Sequence, residues 1–401
     1  MRKACWRGTV TLNANPPSSF LSLSGLARAG AAAALFIVVC WPAVADEAPG
    51  NIERVRDALI APVWVNGVGP YPFLVDLGSA RSAIAPHVRQ YVELDVSPLH
   101  SDTEGERSLL ETEPASVLLQ DMDPTECRFL VEPVDGFETK LGARVAGVLG
   151  RDALPNPLYL NIEGRVLSSG RPSSAEQGEN NDDPMSLSVR QAGDGTLTVS
   201  GVIDGEHAVR VAVDTLYGGT LGLPYDQAQN LGLLEDQEQS HLAIEQLQAE
   251  GFMIRLDRFH VAAAEIRRPI CHVSHALEDA VAGLDFLANF EVILDVEEET
   301  LGLIPHEPGP VERGPLRGSG LMLGYFKQGQ WVLYVATDSP AAEAGAMTGD
   351  VLLAIDGEPV EGQRHGEIEQ RLMKPAGEEL TVTVERNGTR HEFTLESKQL
   401  L

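Results

Sequence analysis

The sequence predicts a mainly β protein, with two similar β-barrel segments in tandem followed by a smaller α+β unit. Three observations carry this reading. Strand-length apolar runs recur along the chain, Asn-Gly and Asp-Gly pairs punctuate them, and one ordered set of these signals occurs twice. The 401 residues, 43% hydrophobic and 22% charged, can fill two or three packed cores. Lys+Arg 30 against Asp+Glu 59 gives a formal net charge of -29, which argues against a nucleic-acid backbone or an anionic membrane surface as the main partner, because both repel a polyanion.

At the N-terminus, Arg2, Lys3, Arg7 and Arg28 precede the apolar run from Ala31 to Val39, which continues through Cys40 into Ala43-Val44-Ala45. A positive region, an apolar stretch shorter than a membrane span and a small-x-small site read as a secretory signal peptide over residues 1–45. A membrane partner enters only if this segment stays as an uncleaved anchor. Its removal takes away four positive residues and no acid, leaving -33, and puts the protein in the periplasm or outside the cell. Cys127 and Cys271 then remain, too few for a disulfide framework. Two buried thiols and one disulfide are both open.

Segment 50–167 opens with a hairpin pattern, Ala61 to Asn66-Gly67 turning into Tyr71 to Val75. Segment 186–305 does the same, Leu197 to Asp204-Gly205 turning into Ala208 to Val213. Such pairs tolerate the positive φ that a two-residue hairpin turn demands. Each second strand ends in an aspartate, Asp76 or Asp214. An apolar turn with Gly and Asp two apart follows, at Gly150 after 74 residues and at Gly283 after 69. Each segment closes on another hairpin-like pair, Leu158 to Asn161 with Val166-Leu167, and Val292 to Asp295 with Leu301 to Ile304. A duplication is the economical account. Residues 168–185, polar and without apolar period, read as a linker, and the prolines and glycines of 306–317 as a second one. Within 318–397, Trp331 to Val335 is a strand and Ser339-Pro340 opens a short capped helix. Val351 to Ile355 with Asp356-Gly357 is a strand and turn, Glu367 to Met373 is helical, and Asn387-Gly388 centres a last hairpin.

Two carboxylates at matched strand ends suit general acid–base hydrolysis. Face to face they share one proton, so one acts as base on a water while its protonated partner donates to the scissile carbonyl oxygen. Small neighbours let the turns approach. On these residues both segments resemble retropepsin-type aspartic protease lobes, whose pattern is an apolar strand, Asp-Thr-Gly with Ala or Ser next, and later an apolar-Gly-x-Asp-apolar-Leu turn. Phe73 to Ser79 with Gly150 to Leu154, and Val211 to Thr215 with Gly283 to Leu287, fit it over about 230 residues. The resemblance implies two retropepsin-like (acid protease) β-barrel lobes and an aspartic-type endopeptidase acting on polypeptides without a cofactor. Asp76 and Asp214 would be catalytic, with Gly78, Ser79, Thr215, Gly150 and Gly283 supporting the active turns. The sequence departs from the pattern at Leu77, where the family has a hydroxyl that bonds across to the other lobe. It departs again at Leu216, where the family has Gly and a side chain would fall between the turns. The flap candidates are Asp102 to Gly105 and the stretch from Ser240 to Gly251. One pair per chain permits a functional monomer. The alternative is a catalytically degenerate envelope adaptor that binds polypeptides through the C-terminal unit.

That unit resembles a PDZ domain of the kind attached to bacterial envelope proteases, on Ser339 to Ala342, Ala344-Gly345, Gly349-Asp350 and Ile355 to Gly357. The resemblance implies a peptide or C-terminal tail added as a strand, its carboxylate on loop amides. The loop from Gly318 would supply Gly320, Leu321, Met322 and Leu323, and its other reading is a Gly-rich linker end. His260, His272 and His275 lie close in sequence, but strand positions three apart face opposite sides and a metal needs a third ligand, so no metal is expected. Asp152 and Asp285 are expected to accept backbone hydrogen bonds in the turns bracing the two Asp loops. No G-x-S-x-G elbow, P-loop or GxGxxG follows a strand.

Overall fold

The computed structural model describes residues 6–9, 36–39, 51–99, 109–141, 143–172, 185–235, 251–326, 330–336, 338–363 and 365–400. Among them the protein is mainly β. Trp6–Thr9 pairs antiparallel with Phe36–Val39. The rest of the 1–45 segment, the first flap candidate and the second up to Gly251 lie outside the described residues. No helix among the described residues is long and apolar enough to cross a membrane.

The two halves repeat one topology. In the first, the hairpin Ala58–Val65 with Val68–Val75 is followed in the sheet by Gly147–Leu149, which runs parallel to the end of Val68–Val75 and antiparallel to Ala83–Ile84. In the second, Leu197–Ile203 with His207–Val213 is followed by Ala280–Ala282, parallel to His207–Val213 and antiparallel to Leu221–Pro224. A strand from late in each half is thus inserted between two consecutive strands. The chain joining those two must leave the ladder, and that joining turn starts at the aspartate. The hairpin turns themselves are local: Asn66-Gly67 and Asp204-Gly205 take φ of 50 and 76, and 51 and 81, as two-residue turns of this hand require. Alternation does the rest, since Leu197–Ile203 buries every second residue against the core.

The closing hairpins of the two halves meet each other. Leu158–Asn161 pairs antiparallel with Phe290–Asp295, Leu160 opposite Val292, in a five-stranded sheet that also holds Val166–Ser169, Thr300–Pro305 and Met185–Ser188. An antiparallel pair carries a local twofold, so this sheet relates the halves by an approximate twofold. One hydrophobic cluster runs through both, from Ile52 to Leu303. The 306–317 stretch read as a linker is docked rather than free. Val311–Glu312 adds a parallel strand to the second half's sheet, and the Arg313 guanidinium donates to the Asp285 carbonyl at 2.9 Å. Of 168–185, residues 168 and 169 end one strand of the central sheet and 185 begins another, while 173–184 lie outside the described residues.

The C-terminal unit has its own core, from Leu323 to Leu395. Its sheet runs in the order Leu321–Phe326, Gln330–Val335, Val351–Ile355, Glu379–Arg386, Thr389–Glu396, with the helices Pro340–Glu343 and His365–Leu372. Ser339 caps the first helix, its Oγ accepting from the Ala342 N–H at 3.3 Å. Asp350, 1% exposed, accepts two bonds from the Arg386 guanidinium at 2.6 and 2.7 Å and a third from the Met347 N–H at 3.0 Å. Removing one partner strands the other's charge, so Arg386→Met is expected to destabilise this unit by about 3 kcal/mol. Faster hydrogen exchange across Glu379–Arg386 is the readout.

Candidate active site

Each aspartate is held in the same way by its own turn. The Asp76 N–H donates to the Leu149 carbonyl at 2.9 Å and the Asp214 N–H to the Ala282 carbonyl at 3.2 Å, the last bonds before the chain leaves the sheet. Asp76 Oδ1 accepts from the N–H groups of Gly78 (2.7 Å) and Ser79 (3.2 Å). Asp214 Oδ1 accepts from those of Leu216 (2.7 Å) and Tyr217 (3.3 Å). The Gly turns brace both loops alike: the Arg151 N–H donates to the Ser79 carbonyl at 3.0 Å and the Leu284 N–H to the Tyr217 carbonyl at 2.7 Å. Gly150 and Gly283 sit where a side chain would run into the backbone of Arg81 and Tyr217.

The two turns touch across the approximate twofold. A Cβ on Gly78 would lie 3.0 Å from Asp214 Cγ and 3.0 Å from Asp76 Oδ1, so any side chain there would crowd both carboxyls. Leu216, expected between the turns, instead packs against the main hydrophobic cluster. Thr215, fully buried, accepts the Leu77 N–H at 3.0 Å and donates to the Val75 carbonyl at 2.7 Å. Leu77 cannot return this brace. Its side chain is fully buried, which contributes about 2 kcal/mol of hydrophobic stabilisation against about 1 kcal/mol for a net hydrogen bond. One cross-brace therefore serves both turns. Thr215→Val keeps the shape and leaves a buried carbonyl and a buried N–H unpaired, with an expected loss of about 3 kcal/mol in urea unfolding, while Thr215→Ser stays within about 1 kcal/mol.

Asp76 is 4% exposed, and its pKa is pushed up to about 6, first by burial and then by the charge of Asp214. The amides of Ser79 and Gly78 oppose the rise without cancelling it. Burial is the larger cause because a carboxylate this little exposed loses most of the hydration that favours its charged form.

Arg151 is a site residue that the spacing did not single out. Its guanidinium donates to the carbonyls of Leu77 at 2.6 Å and Gly78 at 3.0 Å, and to that of Gly195. It ties the Asp76 turn to the start of the second half. The second half has Leu284 at the matching place, and that asymmetry was the only signal in the sequence. Asp152 and Asp285 do not take backbone amides as expected. Asp152 accepts from the Ser82 hydroxyl at 2.5 Å, and that hydroxyl accepts the Gly150 N–H at 2.9 Å, so the brace runs through a side chain. Asp285 takes the Arg54 guanidinium at 2.5 Å, from a hairpin of the first half.

Cys127 and Cys271 are free and buried. Burial pushes the Cys127 thiol up to about 12 and the Cys271 thiol up as well. His272 lies in Ile270–Ser274, its pKa lowered by burial, whereas His275 lies past the strand end and stacks on Tyr225 at 4.1 Å. Among the described residues no three His, Cys, Asp or Glu side chains group as a metal site. In the C-terminal unit Gly320 takes φ of +82 with its backbone against Ser339. Leu321, Met322 and Leu323, read as loop, belong to the edge strand Leu321–Phe326.

Comparison with known proteins adds the following. A carboxy-terminal-processing protease of Bartonella bacilliformis is 41% identical over 51 residues, 13% of this chain and 12% of that protein's length. Among solved structures, a photosystem II D1 C-terminal processing protease is 27% identical over 21% of this chain and 24% of its own, with a TM-score of 0.20. A retropepsin-like aspartic protease from Rickettsia conorii is 19% identical over 30% of this chain and 90% of its own, with a TM-score of 0.25. Soybean Basic 7S globulin is 11% identical over 62% and 91%, with a TM-score of 0.40. Residues 331–386 match the PDZ domain family, so the chain carries a PDZ domain there.

Proposed function

We propose that the chain is an exported aspartic endopeptidase. On this reading residues 50–167 and 186–305 are tandem retropepsin-like lobes and 318–397 is the PDZ domain. The observation that carries it is the pair of matched turns bringing Asp76 and Asp214 to either side of Gly78, with Asp76 raised to about 6. The pair shares one proton, and the reaction is written with that proton on Asp76, whose carboxyl is pushed up by burial and the Asp214 charge, so that Asp214 is the base. Asp214 takes a proton from water as the water oxygen attacks the scissile carbonyl carbon, and Asp76 gives its proton to the carbonyl oxygen. As the resulting gem-diol collapses, the C–N bond breaks, the amine nitrogen takes the proton from Asp214, and a diol hydroxyl returns one to Asp76. No covalent intermediate or cofactor is required. Export is supported by the charged, apolar and small-residue order of residues 1–45.

A second reading, a catalytically silent adaptor working through its PDZ domain, is favoured by Leu77, which leaves one cross-brace where a symmetric pair would have two. Cleavage of an unstructured polypeptide between pH 3 and 8 by the full chain, Asp76→Asn and Asp214→Asn separates the two. Equal turnover in all three sinks the endopeptidase.

A further inference from the structure

The PDZ sheet ends on Leu321–Phe326, whose sole ladder among the described residues is to Gln330–Val335. The Ala336 N–H donates to the Gly320 carbonyl at 2.8 Å, and Gly320 sits opposite Ala336 in that register. Gly320 and every second residue after it therefore point their backbone groups at the neighbouring strand, while Leu321 and Leu323 point theirs outward. Those outward groups are what an added peptide strand bonds to, and the strand is flanked by the helix His365–Leu372 of its own unit and by the helix Asp135–Leu141 of the first half.

The groove is already occupied from within the chain. Arg56, at φ +52 in the turn between Glu53–Val55 and Ala58–Val65, donates from its guanidinium to the Leu323 carbonyl at 2.5 Å. It also reaches Glu369 Oε1, on the helix His365–Leu372, at 3.4 Å. One side chain of the first half thus spans strand and helix and takes an acceptor that an incoming strand needs. The other side of the same turn lies on the second aspartate loop. The Asp57 side chain fills the space a Cβ on Gly218 would need, and Arg54 pairs with Asp285 at 2.5 Å.

We propose that the Arg56 turn is an internal competitor for the PDZ peptide groove, and that the groove's ligand is a polypeptide strand carrying a lysine or arginine that takes over the contact with Glu369. A basic residue on an incoming strand would take the place beside Glu369 Oε1 that the Arg56 guanidinium holds now at 3.4 Å. The chain's net charge of -29 attracts basic polypeptides in the same sense. Because the competitor is tethered, it holds the groove at high effective concentration, and apparent peptide affinity is lowered by the fraction of molecules in which Arg56 is in place.

All chains in the test also carry Asp76→Asn, so no peptide is cut and the outcome does not depend on whether the aspartate pair is active. Full chain, Arg56→Ala and Glu369→Gln are applied to immobilised peptides with free C-termini, each position varied through all twenty residues, and the best peptide is titrated in solution. Arg56→Ala is expected to bind at least about tenfold more tightly than the parent chain, with Lys or Arg preferred at one position. Glu369→Gln is expected to lose that preference. Equal affinity of parent and Arg56→Ala, a groove indifferent to basic residues, or no peptide bound by folded Arg56→Ala each overturns the proposal.

Discussion

Asp76→Asn and Asp214→Asn are each expected to lower kcat/KM for polypeptide cleavage by about 10³-fold or more. Each carboxyl does a separate proton transfer in the proposed reaction, such a transfer contributes about 10² to 10⁴ in rate, and an amide can perform neither. The pH profile of the parent chain carries a second signature. With the Asp76 carboxyl raised to about 6, the proton that must reach the carbonyl oxygen is present below about pH 6 and lost above it, so activity should fall through that value on the alkaline side. Initial rates on an unstructured protein, with circular dichroism to show that the variants fold, supply the check. An alkaline limb that persists unchanged in a residual activity of Asp76→Asn assigns it to another group.

The same raised carboxyl should make the native state less stable as pH rises. Asp76 titrates at about 6 when folded against an ordinary 3.8, so between those values the native state binds the proton more tightly than the unfolded chain. Stability therefore declines through that window and has lost about 3 kcal/mol once pH exceeds 6. Asp76→Asn keeps an oxygen to accept from Gly78 and Ser79 and removes the charge. It is expected to unfold at higher urea than the parent chain at pH 7.5, by about 2 kcal/mol, and to match it near pH 4. Parallel curves for the two proteins over the whole range would contradict the burial argument. A variant that is more stable and inactive is the expected pattern where a site holds a carboxyl against its own solvation.

Much of the framework was legible because its causes are local. Asn66-Gly67, Asp204-Gly205 and Asn387-Gly388 mark hairpin turns by the φ they permit, and Ser339-Pro340 marks a helix start by its cap. Asp76 and Asp214 could be picked out because each ends an apolar strand and precedes a Gly turn at matching distance. Gly318 to Leu323 reads as a loop although Leu321 begins the edge strand Leu321–Phe326, since the nearby glycines resemble a linker end and nothing local says that a sheet lies beside it. Val311–Glu312 was missed for the same reason, as a two-residue strand owes its existence to the sheet it joins.

What the sequence determined by itself is the twice-repeated order of strand and turn signals and the two carboxyls with their small neighbours, all of which follow from propensity and spacing along the chain. What the tertiary structure decided is where the copies meet. Pairing of Leu158–Asn161 with Phe290–Asp295 joins residues more than a hundred positions apart, and in the same assembled pair of halves Gly78 lies against Asp214, Leu216 packs half-buried against the core and Thr215 is a single brace. Arg151 on the Asp76 turn and Arg56 in the PDZ groove belong to the same class. A long guanidinium side chain finds its partner by distance in space, and distance in space between remote segments is set by how sheets pack.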